Sequence, residues 1–192
     1  MQNLIETNNR VAEEYRADRR SFLKGGICAV AALGFWMPSL AQGAAMGRDI
    51  RIVNQHTGEK FNGEYWYNGK YLPDAFAEIK TLMRDHRVNE RFPIDPRLID
   101  VLYVMRHRIG GVTPFNVISG YRSPATNAML SRTTEGVARN SLHMSGQAAD
   151  MRMPGMGLRS LRDVAVSVRA GGVGFYPRSN FVHVDTGRVR SW

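Results

Sequence analysis

The spacing of apolar residues changes repeatedly along the chain, and each change marks an element of structure. A strand begins over residues 51–54, and the polar turn residues of 56–59 end it. From 64 to 71, aromatic residues flank Asn68-Gly69, a pair that favours the tight turn of a β-hairpin. Helical spacing follows over 74–87, where Phe76, Ile79, Leu82 and Met83 share a face behind a Pro-Asp start. Asp95-Pro96 opens a second helix with Leu98, Ile99, Leu102 and Met105 inward, and Gly110-Gly111 stops it. Residues 115–119 read as a strand, 125–130 as a short helix and the polar stretch up to Ser141 as loop. A strand over 148–153 precedes a helix over 158–170 with Leu161, Val164, Ala165 and Val168 inward. Residues 174–176 and 181–185 are the closing strands.

Helices come early and strands that suit antiparallel pairing cluster late, which predicts an α+β fold rather than alternating βαβ units. No internal repeat, low-complexity tract or linker divides residues 46–192, so one domain is expected there.

The first 45 residues have a different character. Arg19-Arg20 stand just before Phe22-Leu23-Lys24, an apolar run follows from Ile27 to Trp36, and small residues gather around Ala41 to Ala45. A basic start, a short apolar stretch and a small-residue cleavage region describe an export signal, here of the twin-arginine type. The expected destination is the periplasm, with the twin-arginine translocase as the export partner. The apolar run is too short for the ~20 residues that span a bilayer, so no stable membrane insertion is expected after processing.

The single cysteine, Cys28, lies inside this leader, which leaves only imidazoles and carboxylates as metal donors in 46–192. The formal net charge of +9 favours a polyanionic partner. An exported protein meets the anionic cell wall rather than nucleic acid, and no nucleic-acid partner is expected.

Two segments concentrate the candidate chemistry: Ser141 to Asp150, which holds His143, and Phe181 to Asp185, which holds His183. On a strand, period-two geometry points His183 and Asp185 to one face and Val182 and Val184 to the other. His143 and Asp150 are seven residues apart, so the chain must turn between them, and Ser145-Gly146 suits that turn. Asp150 can then lie beside His183 and reach the same ion. Two imidazoles with nearby carboxylates suit zinc with an open coordination position. Of the other histidines, His86 and His107 fall on polar helix faces and His56 in a turn, so none is expected as a ligand.

The pattern Ser-x-His-x6-Asp, followed by His-x-Asp and preceded by Ser119-Gly-Tyr-Arg-Ser123, resembles the zinc peptidases that cut D-amino-acid bonds in peptidoglycan. Their fold is shared with the hedgehog signalling domain, which implies a central antiparallel sheet with helices packed on one side. Asn54 to Glu59 and Gly174 to Gly187 are similar to the YcbK-like murein endopeptidase branch. The resemblance implies a zinc-dependent endopeptidase acting on cross-links between peptidoglycan stem peptides, at a D-configured centre such as that of meso-diaminopimelate. It implies His143, Asp150 and His183 as zinc ligands and Arg122 as the cation that stabilises the oxyanion. Where related dipeptidases carry an acidic base three residues before the last histidine, this chain has Asn180. Asp185 is therefore the expected general base, and orienting His183 is its other possible task. The competing functional readings are a D,D- or L,D-carboxypeptidase and an inactive zinc-containing module that binds the wall.

Overall fold

The computed structural model describes residues 47–134 and 136–192, so the segment expected as an export signal lies outside the described residues. Eight strands form one sheet in the order β3-β2-β1-β4-β5-β7-β6-β8. They are β1 (Arg48–Asn54), β2 (Lys60–Tyr67), β3 (Lys70–Tyr71), β4 (Phe115–Ser119), β5 (Ala148–Arg152), β6 (Gly172–Tyr176), β7 (Phe181–Asp185) and β8 (Arg190–Ser191). The helices are α1 (Pro73–Leu82), α2 (Pro96–Ile109), α3 (Pro124–Thr133) and α4 (Leu158–Val168), with a short 3-10 helix at Leu142–Ser145.

The α+β class holds, but the sheet is mixed rather than purely antiparallel. β1 pairs with β4 in parallel, and so does β6 with β8. The first of these follows from the connection: α1 and α2 lie between β1 and β4, and a crossover through helices returns the chain in the same direction. The β2–β3 hairpin turns where the sequence places it, with Asn68 and Gly69 both at positive φ. Asp95 caps α2 by accepting from the Arg97 backbone N–H at 3.0 Å, and Pro96 occupies the first turn.

Two helices end earlier than their apolar spacing predicts. α1 stops at Leu82 because the chain turns back on itself, with the Asp85 and Glu90 backbones bonded to each other. The Asp85 carboxylate then accepts from the backbone N–H and the hydroxyl of Ser123, which anchors the Gly120–Pro124 stretch beside the site. α4 stops at Val168 because Arg169 adopts a left-handed conformation.

One sheet face is the core. Ile52, Phe115, Val117, Met151, Ala149, Val182, Val184 and Val173 follow one another in cross-strand register, and all are buried. Leu98, Ile99, Leu102 and Met105 of α2 and Leu161 and Ala165 of α4 join them in a single apolar cluster. Each fully buried Leu, Ile or Val contributes about 1.5–3 kcal/mol. α3 is the exception to helices on the core side, for none of its residues joins that cluster. Its buried residues are Thr126 and Asn127, both polar. The opposite sheet face keeps its polar residues, with Asp150 of β5 directly across from His183 of β7. Among the described residues no helix is long and apolar enough to cross a membrane.

Candidate active site

His143 comes from the 3-10 helix, which Ser141 caps and Gly146 ends in a left-handed conformation. Gly146 must be glycine for a second reason: a Cβ there would run into the backbone of Pro93. The helix turns the chain sharply enough to bring His143 back over Asp150. His143 Nδ1 lies 2.7 Å from the carbonyl oxygen of Gly120. A carbonyl only accepts, so Nδ1 carries the hydrogen and the lone pair sits on Nε2.

Asp185 imposes the opposite choice on His183. Its Oδ2 lies 3.1 Å from His183 Nε2 and accepts that hydrogen, leaving the lone pair on Nδ1. His143 Nε2 is 3.2 Å from both Asp150 Oδ1 and His183 Nδ1, and His183 Nδ1 is 2.9 Å from the same carboxylate oxygen. Three electron-donating atoms therefore converge on one point. Burial opposes the charged form of His183, yet the hydrogen bonds that its ring donates to Asp150 and Asp185 outweigh it and raise its pKa to about 8. Burial likewise opposes the charge on Asp150, but the two imidazoles hold its carboxyl well below the usual carboxylate range. The site attracts a cation, whether a proton or a metal ion.

These three side chains are the group among the described residues whose imidazole and carboxylate atoms could together hold a metal. Around a tetrahedral zinc with bonds of ~2.0–2.1 Å, ligand atoms stand about 3.3–3.4 Å apart, close to the spacing found here. A nitrogen and oxygen donor set without thiolate also fits that ion.

Arg122 is 8% exposed and enters from the loop after β4. Its Nη2 lies 3.4 Å from Asp150 Oδ2, the oxygen turned away from the imidazoles, and 3.3 Å from Ser119 Oγ. Its Nη1 is held at 3.3 Å by Asn127 of α3, whose own amide donates to the carbonyls of Ala138 and Arg139. Arg122 Nε is buried and has no partner among the described residues.

Asp185 is enclosed, and its side chain exposes no surface. Oδ1 accepts from the backbone N–H of Gly172 and of Gly187 and from Arg190 Nη1, while Oδ2 accepts from Arg190 Nη2 and His183 Nε2. Burial works against its charge, but these donors outweigh it and hold its carboxyl well below the usual range. Asn180 sits in the turn between β6 and β7 at positive φ, where its short polar side chain suits the conformation.

A cavity of about 270 Å³ opens over these groups, lined by Arg122, His143, Asp150, His183, Tyr176 and Trp192 among others. Sequence reasoning missed the last two. Tyr176 was within reach, because period two along β6 puts it on the same face as Gly174, and Gly174 lies opposite His183. Trp192 arrives only through the pairing of β8 with β6, which places its ring 5.4 Å from that of His183. Its indole N–H donates to the Tyr176 hydroxyl at 2.8 Å, and Arg190 lies over the indole at 4.7 Å. His56 and His86 stack on each other and His107 packs on Tyr103, none of them lining this cavity.

An α+β fold that gathers a His-Asp-His donor set beneath a cleft has the arrangement that metal-dependent hydrolases use. The chain belongs to peptidase family M15: a family model described as peptidoglycan L,D-endopeptidase MepK matches residues 42–192. Peptidoglycan L,D-endopeptidase MepK of Escherichia coli (strain K12) is 40% identical over 181 residues, covering 94% of this chain and the whole of that protein. The probable peptidoglycan L,D-endopeptidase MepK of Haemophilus influenzae Rd is 44% identical over 146 residues, 76% of this chain and 78% of its own length. The resemblance to the murein endopeptidase branch is thereby borne out.

Proposed function

We propose that this protein is a zinc-dependent peptidoglycan endopeptidase that hydrolyses cross-links between stem peptides. The observation that carries the reading is the convergence of His143 Nε2, Asp150 Oδ1 and His183 Nδ1 within 3.2 Å of one another beneath an open cavity. The names of the relatives supply the substrate class and point to a bond between an L- and a D-configured centre.

Zinc held by these three side chains would supply a Lewis acid for the scissile carbonyl and lower the pKa of a bound water. The chain's own residues do the rest. Asp150 divides its two oxygens, one toward the imidazoles and one toward Arg122, so it fixes the guanidinium beside the reacting centre. Arg122, buried and still carrying an unpartnered Nε–H, is placed to offset negative charge that develops on the attacked carbonyl oxygen. Asp185 fits the orienting task better than that of proton acceptor. Five donors engage its oxygens, so no lone pair is left for a water. It holds the His183 ring so that Nδ1 faces Asp150.

The domain boundary near residue 45 and export by the twin-arginine route belong to the same reading. They rest on the Arg19-Arg20 pair and the short apolar run, and a cell-wall substrate requires export.

A muropeptide digest by the purified protein, with chelator and with zinc restored, tests the proposal. Loss of cross-linked dimers that stops with chelator and returns with zinc is the expected result. Release of terminal residues alone would make the protein a carboxypeptidase, and binding without products a wall-binding module.

A further inference from the structure

The site face of the sheet continues beyond the metal-binding triad. Asp150 and His183 form one cross-strand row, and two residues further along β5 the same face carries Arg152, paired in register with Asn116 of β4. Two residues of strand span about 7 Å, the length of roughly two residues of extended peptide. Arg152 and Asn116 line a shallow cavity of their own together with Asn180 of the β6–β7 turn.

Three guanidinium groups stand around the site, and they are not alike. Arg122 is bound to Asp150 and Arg190 to Asp185. Arg152 is half-buried, and its guanidinium makes no hydrogen bond or ion pair with any described residue. A guanidinium drawn partly out of water without an anion is unfavourable, and a carboxylate that fits its planar fork relieves that cost with two parallel hydrogen bonds. Nothing in the fold needs this cation: Met151 and Met153 on either side face the core, but the Arg152 guanidinium ties no other element in place.

We propose that Arg152, with Asn116 beside it, binds a substrate carboxylate about two residues from the scissile amide and so determines specificity. The proposal rests on the peptidoglycan reading, because D-configured residues of stem peptides carry free carboxylates near their amide links. The interaction is bidentate, which lysine in the same position cannot reproduce.

The test compares two substrates, a cross-linked stem-peptide dimer and its counterpart with the carboxylates converted to amides. The zinc-loaded protein, Arg152→Ala and Arg152→Lys are assayed on both, and binding of the uncross-linked stem peptide in each form is measured by calorimetry. The wild-type protein should favour the free carboxylate by about 10- to 100-fold, the scale of a charge-assisted hydrogen bond, chiefly in KM. Arg152→Ala should lose that preference in both cleavage and binding, and Arg152→Lys should recover only part of it. All three should melt alike, since the Arg152 side chain makes no bond within the fold and the strand's backbone pairing is unchanged. An unchanged preference in Arg152→Ala overturns the proposal, and so does equal treatment of both substrates by the wild-type protein. If neither dimer is cleaved but binding still depends on Arg152 and the carboxylate, the carboxylate site stands and the peptidase reading falls.

Discussion

His183 turns Nδ1, not Nε2, toward Asp150, because Asp185 holds Nε2 at 3.1 Å. His143 makes the reverse choice, with Nδ1 tied to the Gly120 carbonyl. Two histidines thus reach one point through different ring nitrogens, and each orientation is enforced by a partner that can only accept. An acceptor behind each imidazole fixes which ring nitrogen faces Asp150.

Asp185→Asn should weaken the metal site rather than simply remove a base. Either orientation of the new amide points an NH₂ at a donor, Arg190 and the Gly172 and Gly187 N–H groups on one side or Arg190 and His183 on the other. Metal affinity should fall about 10- to 100-fold, and stability by about 1–3 kcal/mol. Competition with a chromogenic chelator measures the first. Unchanged zinc affinity combined with lost activity would restore Asp185 as the proton acceptor.

Zinc stoichiometry should drop from one per chain in His143→Ala, Asp150→Ala and His183→Ala, but not in His86→Ala or His107→Ala. Two remaining ligands make a poor site. Metal analysis of the folded fraction, with circular dichroism as a check on folding, decides it. Asp150→Ala should be the least stable, since it also leaves the buried Arg122 guanidinium without its carboxylate.

Arg122→Lys should retain zinc and lose turnover by about 10²-fold or more, as expected when a positioned charge beside a developing oxyanion is displaced. The ammonium cannot reach Ser119, Asn127 and Asp150 at once, as the guanidinium does. Rates near wild type would place the oxyanion elsewhere.

The metal-free protein should respond to pH through His183. Its pKa in the fold, about 8, lies above the ordinary 6.5, so folding favours the protonated ring. That stabilisation is fully present below about pH 6.5 and disappears as the pH rises through about 8. Asp150 and Asp185, shifted down, act oppositely: their contribution is present above the ordinary 3.8 and is lost as the pH falls through their lowered values. Melting temperatures of chelated protein from pH 5 to 9 should therefore decline across the upper part of the range. The same decline in His183→Gln would assign it to another group.

Arg19→Lys combined with Arg20→Lys should leave unprocessed precursor in the cytoplasm, because the twin-arginine route distinguishes guanidinium pairs from ammonium ones. Fractionation with an antibody to the domain is the measurement. Normal periplasmic accumulation would favour the general secretory route.

The period of β7 was enough, without a structure, to divide the strand between site and core. His183 and Asp185 lie on the polar face, and Val182 and Val184 are buried to within 1%. Turn chemistry was equally local, as the Asn68-Gly69 hairpin and the Asp95-Pro96 cap show. Helix ends at Leu82 and Val168 were not legible, because backbone turns beyond them, rather than the apolar spacing, set the stops. Nor could spacing reveal that β8 pairs with β6 and carries Arg190 to Asp185 and Trp192 to His183. Local patterns report which side of an element is buried. Which strand lies beside it depends on burying apolar faces across the whole sheet, and that long-range packing tied His143 Nδ1 to Gly120 and brought Gly172 and Arg190 onto Asp185.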